Sequence, residues 1–274
     1  MILSDIFIYP VKSLAGIRVE NWDVVQTGLK YDRQFMLIDE NGQFLSQRRL
    51  PKMALIQTRL TESELILSAK NFADLHLPLE PAGGEIIKST VWEDCCDGLH
   101  VSDEADAWLG EVLQTTCQLV YLSTQTQRGV DLKYALQTDR VAFSDGFPFL
   151  IISENSLNSL NSQLENPVEM ARFRPNLVIS GCEAYAEDTW REIKIGNIEF
   201  RLPKPCSRCS VPAINPANAQ VGKEPLKTLN RLRKLNGKIY FGQNALHNQL
   251  GALRIGDEVS VARYGEALIV GAGS

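Results

Sequence analysis

Short strand-like segments separated by turn signals dominate this chain and limit its fold more than any other feature. Apolar runs cover residues 2–9 and 34–39, and the Asn41-Gly42 pair after the second run is typical of a β-hairpin. Similar runs recur toward the end of the chain, over residues 176–180, 193–202, 238–241 and 257–261. Many short strands with few helices predict a mainly β protein, either a barrel or a closed sandwich.

Helical spacing of apolar residues is confined to three short segments. The first follows Ser102 and ends near Leu113, and the second begins near Ser153. The third follows Pro225 and extends to Leu235. These segments do not alternate regularly with strands, so the sequence does not predict the βαβ units of a parallel sheet.

The composition excludes several classes of protein. With 44% hydrophobic residues, the 274-residue chain has enough apolar material for a core and is not disordered. Its formal net charge of −5 opposes nucleic-acid binding, because affinity for a phosphate backbone comes from Lys and Arg. Any anionic ligand must therefore meet a local basic cluster. No apolar run approaches the roughly 20 residues that span a bilayer, so we expect no membrane association.

The beginning of the chain and its cysteine content predict a compartment. The first ten residues lack the basic region of a secretory signal. Six cysteines in a chain of this length do not form the pattern of a disulfide framework. We therefore expect a location in the reducing cytoplasm, so that each cysteine has to be explained by packing or by chemistry. We also expect the protein to be a monomer.

The most informative segment, residues 201–212, contains a Cys-x-x-Cys pair, Cys206 and Cys209, between two prolines. A structural zinc site needs four ligands, but no second such pair is present and the three histidines are scattered. A redox pair of the thioredoxin type needs the start of a helix, which the flanking prolines oppose. Both interpretations are therefore weak, although neither is eliminated.

Two interpretations of this pair are stronger. The structural one is that both cysteines pack in a loop, since free cysteines are commonly buried. The functional one is that a thiolate binds a soft metal, because nearby positive charge favours the ionised sulfur. The cations beside the pair in the sequence are Arg201, Lys204 and Arg208.

Basic segments elsewhere are candidates for binding an anion. Arg172 and Arg174 precede a strand-like run, and an arginine fork suits phosphate, although a solvated basic loop explains them equally well. Lys12 and Ser13 follow the first strand-like run and precede a glycine, in an arrangement that can hold phosphate. Arg33, which opens the next run, adds another cation.

The remaining cysteines and one histidine have simpler structural interpretations. We expect Cys182, at a strand end, to be packed. Cys95 and Cys96 lie between two aspartates whose negative charge disfavours a thiolate, so we expect them to be inert. His247 can carry protons near neutral pH, but a surface position is the simpler expectation.

Together these segments resemble the MOSC superfamily, in particular two-part proteins with a MOSC N-terminal β-barrel portion before the MOSC domain. That group includes the mitochondrial amidoxime reducing component and its bacterial counterparts. The most specific match combines Phe173-Arg174-Pro175-Asn176 with Cys206-Ser207-Arg208-Cys209. Other matching segments are Tyr9-Pro10-Val11-Lys12-Ser13, Asp32-Arg33, residues 149–154, 177–182, 185–190 and 223–229, and Ile255-Gly256-Asp257.

The resemblance implies a fold and a cofactor. It implies a mainly β, barrel-type MOSC fold with a few peripheral helices, divided into an N-terminal portion (residues 1–122) and a MOSC domain (residues 123–274). It implies that Cys209 is the ligand of molybdenum in a molybdenum cofactor and acts as the catalytic residue. The residues implied to hold the organic part of that cofactor are Lys12, Ser13, Arg33, Arg174, Asn176, Ser207 and Arg208.

The resemblance also implies a reaction, the reduction of N-hydroxylated compounds such as hydroxylamines, amidoximes or N-hydroxylated base analogues. Because the chain has no iron–sulfur or flavin motif, electrons would come from a separate donor protein. The alternative is a binding module that carries the cofactor or sulfur without turnover. The chain departs from the family at Asn215, where an aspartate is frequent, so the chemistry on the substrate side is not implied.

Overall fold

The computed structural model describes residues 1–123 and 126–267. Over these residues the chain forms nineteen strands and three α-helices, which confirms the predicted mainly β class. The strands before residue 123 are β1 (Ile2–Ile8), β2 (Ile17–Val19), β3 (Asn21–Val25), β4 (Gly28–Leu29), β5 (Phe35–Ile38), β6 (Gln57–Leu60), β7 (Glu64–Ser68), β8 (Leu75–Pro78), β9 (Ile86–Val91), β10 (Asp94–His100) and β11 (Gln118–Leu122). Those after it are β12 (Phe149–Ser153), β13 (Leu177–Ser180), β14 (Trp190–Ile195), β15 (Ile198–Ser207), β16 (Lys234–Leu235), β17 (Lys238–His247), β18 (Gly251–Arg254) and β19 (Val259–Tyr264).

The helices begin where serine side chains cap them. The Ser102 hydroxyl accepts a hydrogen bond from the amide of Ala105 at 3.1 Å, and Ser153 accepts one from the amide of Ser156 at 3.1 Å, as expected of N-cap serines. The α-helices are α1 (Asp103–Leu113), α2 (Glu154–Asn161) and α3 (Leu226–Leu232). Single 3-10 turns lie at Pro51–Leu55, Met170–Phe173, Ala186–Thr189 and Val211–Ala213.

The third helix is shorter than its apolar spacing predicts. It ends at Leu232, and Leu235 lies instead in β16, where it pairs with Lys238 of β17. The turn between these strands is Asn236-Gly237, and both residues have positive φ, 48° and 77°. Asn-Gly is the preferred sequence for such a two-residue hairpin turn. The turn therefore overrides the helical spacing, and the prediction of a helix to Leu235 is wrong.

The largest sheet combines strands from both ends of the chain. Its order is β19-β14-β15-β17-β12-β13-β1-β2, and β16 pairs with β17. β12 and β13 are parallel, and the other pairs are antiparallel. β1 pairs with β13 through Leu3↔Ile179 and Ile6↔Leu177, so the first strand is part of the same hydrophobic core as the later ones. This pairing brings the loop after β1 close to segments that are distant in sequence.

Three smaller sheets complete the described part of the chain. Their orders are β5-β11-β10-β9, β18-β3-β4 and β6-β7-β8. A second core, which includes Phe35 and Leu65, packs between the first and third of these sheets and the apolar side of α1. β18 comes from the C-terminal half but pairs with β3, so the two halves of the chain contribute strands to each other. None of the described helices is long and apolar enough to cross a membrane.

A buried arginine, Arg128, links β10 to the loop before β12. Arg128 donates from Nε to Asp94 at 2.8 Å and from its Nη atoms to the carbonyls of Ala142, Ser144 and Asp145. Three of the five hydrogen bonds that this guanidinium donates reach backbone carbonyls in residues 142–145 and fix their conformation. The loop that Arg128 fixes borders the cavity described next.

Candidate functional site

A cavity of about 160 Å³ lies between the loop after β1, the loop after β5 and the end of β15. All eight residues that the sequence singles out as a candidate site line this one cavity. They are Lys12, Ser13, Arg33, Arg174, Asn176, Ser207, Arg208 and Cys209. They come from four distant segments, and the pairing of β1 with β13 and of β15 with β17 brings those segments together.

Lys12 is buried and holds a carboxylate at the cavity wall. Its Nζ atom donates to the carbonyl of Phe143 at 2.7 Å and to Oδ1 of Asp145 at 2.6 Å. Burial lowers the pKa of the Lys12 ammonium, and Asp145 opposes that shift. Desolvation would raise the pKa of Asp145, but the Lys12 ammonium outweighs it, so this pKa lies well below its usual range. Asp145 is therefore a fixed anion in an otherwise basic cavity.

Two arginines lie close to one tyrosine ring. The guanidiniums of Arg33 and Arg174 lie 4.1 Å and 4.2 Å from the ring centroid of Tyr9. Cation–π attraction offsets part of the repulsion between the two cations. Burial raises the pKa of Tyr9 to about 12, which keeps the phenol neutral, and its hydroxyl donates to the carbonyl of Pro175 at 3.0 Å. Asp32 accepts from Arg33 at 2.6 Å and neutralises one of the two charges.

The side chain of Asn176 positions Arg33. Its Oδ1 atom accepts from Arg33 Nη1 at 3.1 Å and from the amide of Leu150 at 3.3 Å. Its Nδ2 atom donates to the carbonyl of Phe7 at 3.2 Å. Asn176 therefore links β1, β12 and the arginine, and it supports the cavity wall in addition to lining it.

Two buried guanidinium N–H groups in this cavity have no acceptor among the described residues. Arg174 donates from Nη1 to the carbonyl of Leu14 at 2.6 Å, but its Nη2 is unpaired, and so is Nε of Arg208. Burial, with a further contribution from Arg33, lowers the pKa of Arg174 to about 10, so the group remains charged at neutral pH. A buried donor without an acceptor costs roughly 1–3 kcal/mol. Such donors fit a ligand that carries anionic or carbonyl oxygens.

The two cysteines of the loop have different surroundings. The Cys206 sulfur lies 3.2 Å from Nη1 of Arg208, yet burial outweighs this contact and raises the pKa of the Cys206 thiol. Arg208 also donates to the carbonyl of Phe173 at 2.8 Å. Cys209 is half-buried at the cavity wall, where a ligand in the cavity can reach its sulfur.

Comparison with known proteins identifies the family. The MOSC N-terminal beta barrel domain matches residues 1–116, and the MOSC domain matches residues 138–260. Mitochondrial amidoxime-reducing component 1 of Mus musculus is 35% identical over 94% of this chain and 81% of its own length. The chain belongs to the MOSC family.

Other relatives of this MOSC protein include mitochondrial amidoxime-reducing component 1 of Homo sapiens, which is 34% identical over 94% of this chain and 82% of its own length. Molybdenum cofactor sulfurase of Oryza sativa subsp. japonica is 33% identical over 88% of this chain, which corresponds to 32% of that longer relative. The similarity therefore extends across both halves of the MOSC chain.

Several residues of the MOSC cavity were not predicted from the sequence. Gln47 lines it and donates from Nε2 to the carbonyl of Ser13 at 2.7 Å, which supports the positive φ of Ser13, 71°. Arg48, Ser144 and Asp145 also line it. The sequence indicates Gln47 and Arg48 only weakly, because the segment Ser46-Gln47-Arg48-Arg49 does not match the spacing of a known motif. The segment Ser144-Asp145-Gly146 is typical of an ordinary turn. Its position just before β12 could nevertheless have indicated that its polar side chains lie near a site at the strand end.

Two cations predicted to flank the cysteines lie elsewhere. Arg201 forms an ion pair with Asp139 at 2.7 Å, and the Lys204 ammonium lies 4.4 Å from the ring centroid of Tyr134. The pairing of β15 with β17 shifts register between Arg201 and Lys204 and again between Pro205 and Ser207. Among the three predicted cations, Arg208 is the one whose described contacts include a cysteine sulfur.

The other residues singled out from the sequence lie outside the cavity lining. Cys182 packs against the large core as predicted, and burial raises the pKa of its thiol. Burial also raises the pKa of the Cys96 thiol, which agrees with the prediction that this cysteine is inert. The prediction that His247 lies on the surface is wrong. This residue is half-buried with its ring centroid 5.4 Å from that of Phe149, and burial lowers the pKa of its imidazole. Asn215 accepts from the amide of Ala217 at 3.0 Å and shapes a turn.

Proposed function

We propose that this MOSC protein binds a molybdenum cofactor and uses it to reduce N-hydroxylated compounds. The observation that supports the proposal most directly is a cavity that combines the Cys209 thiol with basic side chains, two of which carry unpaired buried N–H groups. The names of the amidoxime-reducing relatives support the reaction class. The basic side chains of the lining are Lys12, Arg33, Arg48, Arg174 and Arg208.

The residues present fit the cofactor. Soft thiolate ligands suit heavy transition metals, and Cys209 supplies one at the cavity wall. The unpaired donors of Arg174 and Arg208 suit the oxygens of a phosphate or a pterin. The remaining polar groups that would hold the organic part are Lys12, Ser13, Arg33, Asn176 and Ser207.

The protein groups prepare substrate binding and protect the site. The cofactor, when bound, supplies the two-electron redox change that removes oxygen from an N–OH group and releases an amine or amidine and water. Asp145 stays ionised because of Lys12, so its carboxylate accepts hydrogen bonds from the N–H groups of a substrate. Electrons come from a separate donor protein. Cys209 has to remain reduced, which agrees with the cytoplasmic location expected from the cysteine content.

A second candidate function is a carrier of the cofactor or of sulfur without turnover. It is favoured by the similarity to about one third of a molybdenum cofactor sulfurase, a relative whose name does not describe a reductase. The two functions share the same cavity and differ in whether the bound cofactor reacts with an N–OH compound.

One experiment separates these functions. The protein is expressed in cells that make the cofactor, its metals are quantified, and hydroxylamine and benzamidoxime are offered with reduced methyl viologen as electron donor. We expect about one molybdenum per chain, and one ammonia for each hydroxylamine or one benzamidine for each benzamidoxime consumed, with two electrons and two protons taken up and one water released. Bound molybdenum without turnover supports the carrier. Zinc in place of molybdenum contradicts both functions.

Arg174→Met is expected to separate cofactor binding from stability. Loss of the Arg174 guanidinium removes a hydrogen-bond donor to the cofactor, so the molybdenum content should fall about tenfold. This is the lower end of the roughly 10–100-fold loss that follows removal of groups that support a metal site. The free energy of unfolding of the apo-protein should change by less than ~1 kcal/mol or increase, because a buried, incompletely paired guanidinium is replaced by an apolar chain. Metal analysis and urea unfolding measure the two effects. Equal molybdenum in both proteins would contradict the assigned role.

A further inference from the structure

Arg48 differs from every other cation of the cavity lining. Lys12, Arg33, Arg174 and Arg208 each donate hydrogen bonds to protein acceptors. Arg48 takes part in no hydrogen bond or ion pair within residues 1–123 and 126–267, although it is half-buried and lines the cavity. Its N–H groups are therefore available to a ligand.

The guanidinium of Arg48 is held by two aromatic rings. It lies 4.2 Å from the ring centroid of Trp92 and 5.7 Å from that of Phe44. The two rings contact each other with centroids 5.4 Å apart and an interplanar angle of 56°. Phe44 itself lines the cavity, and the Lys12 ammonium lies 5.0 Å from its centroid. Phe44, Arg48 and Trp92 together form a surface that we call the aromatic shelf.

Trp92 is fixed in place although much of it is exposed. It occupies the turn between β9 and β10 with φ 59°, a left-handed conformation that is unusual for a tryptophan. Its Nε1 atom donates to Oδ1 of Asp145 at 3.1 Å, the same carboxylate oxygen that accepts from Lys12. Even so, 47% of the surface of Trp92 is exposed to solvent. A large aromatic residue held by a strained turn and a hydrogen bond beside the cavity is suited to hold Arg48 and Asp145 in place.

The shelf offers a planar substrate two kinds of contact. A guanidinium supported by an indole presents a flat face on which an aromatic or heteroaromatic ring can stack. Its N–H edge can donate to ring nitrogen or oxygen acceptors. Asp145, held by both Trp92 and Lys12, accepts from an amidine or amino N–H group. A small aliphatic hydroxylamine makes none of the stacking contacts.

We propose that the aromatic shelf determines specificity, favouring N-hydroxylated compounds whose N–OH group is conjugated to a planar ring over aliphatic hydroxylamines. The inference rests on the proposed function and adds its substrate class. Arg48 is the residue that contacts the substrate ring. Trp92 is a positioning residue that acts through Arg48 and Asp145.

The test compares the Trp92→Ala holoprotein with wild type, using benzamidoxime and N-methylhydroxylamine with reduced methyl viologen. We expect the ratio of KM for benzamidoxime to KM for N-methylhydroxylamine to rise about tenfold, because Arg48 is no longer held in position to stack on the substrate ring, while kcat for benzamidoxime changes less than about twofold. Trp92→Phe keeps a ring and should restore the ratio to within about threefold of wild type. Tyr264→Ala removes an exposed aromatic residue of β19 and serves as the matched control.

Arg48→Lys tests the stacking contact itself. Lysine keeps the positive charge but lacks a planar face, so the KM ratio should rise as it does in Trp92→Ala. If Arg48→Lys leaves the ratio unchanged, charge rather than stacking acts at this position and the proposal is overturned. The molybdenum content should equal that of wild type in both variants, which separates an effect on substrate from an effect on the cofactor.

A binding measurement keeps the shelf and the proposed function separately testable. Benzamidoxime is titrated into the holoprotein without an electron donor, and Kd should rise about tenfold in Trp92→Ala. Wild type that binds benzamidoxime without reducing it contradicts the proposed function but not the shelf. Equal Kd values for wild type and Trp92→Ala overturn the shelf, whether or not the protein turns over.

Discussion

Cys209→Ala is expected to lose bound molybdenum and, with it, the reduction of N-hydroxylated compounds. In the proposed site this sulfur is the protein's ligand to the metal, and alanine offers no atom that replaces it. Removing groups that merely support metal ligands costs about 10–100-fold in metal affinity, so removing the ligand itself should cost at least about tenfold. Metal analysis of protein from cells that make the cofactor gives the molybdenum content, and reduction of hydroxylamine gives the activity.

Two cysteine variants control for this result. Cys182→Ala removes a thiol packed against the large core, outside the cavity, and should retain molybdenum. Cys206→Ala removes the neighbouring thiol, which lies 3.2 Å from Nη1 of Arg208 and whose pKa is raised by burial. It should retain more molybdenum than Cys209→Ala. Equal molybdenum content in wild type and Cys209→Ala would remove the basis of the proposed function.

The fold class is predictable because strand ends carry local signals. The same signals make Lys12, Arg33 and Arg174 candidates for binding an anion, since they flank short apolar runs. The assignment of Cys209 and Asn176 to a cofactor site comes from the resemblance to the MOSC superfamily. The strand order that brings these ends together is not local. It depends on pairings such as Leu3 with Ile179, which no periodicity in the sequence specifies.

The residues that escaped prediction owe their position to contacts distant in sequence. Arg48 reaches the cavity because Trp92 holds it, and Asp145 is fixed by Lys12 and by the backbone contacts of Arg128. None of these residues belongs to a spaced motif. Their importance follows from the cavity that they share, and such a set becomes visible only when the chain is folded.

Asp188→Ala is expected to destabilise the protein by about 3–5 kcal/mol, the cost of breaking a buried ion pair. Asp188 accepts from Nη2 of Arg233 and, at 2.8 Å, from Nε2 of Gln243, and all three residues are buried. Arg233 also lies 4.3 Å from the ring centroid of Tyr185. Removal of the carboxylate leaves a charged guanidinium in the interior, with Nε already lacking an acceptor in the described chain.

This destabilisation should depend on burial rather than on charge alone. Glu192 and Arg263 form an exposed pair at 2.9 Å, and Glu192→Ala should cost less than ~1 kcal/mol because solvent screens that pair. The double variant Asp188→Leu with Arg233→Met should recover most of the loss, since neither charge then remains buried. Urea unfolding of the apo-proteins measures all three. A loss in Asp188→Ala no larger than in Glu192→Ala would show that the network does not stabilise the contact between α3 and β17. Gln243 pairs with Pro205 of β15, so a real loss there would also loosen the strand that leads into the cysteine loop.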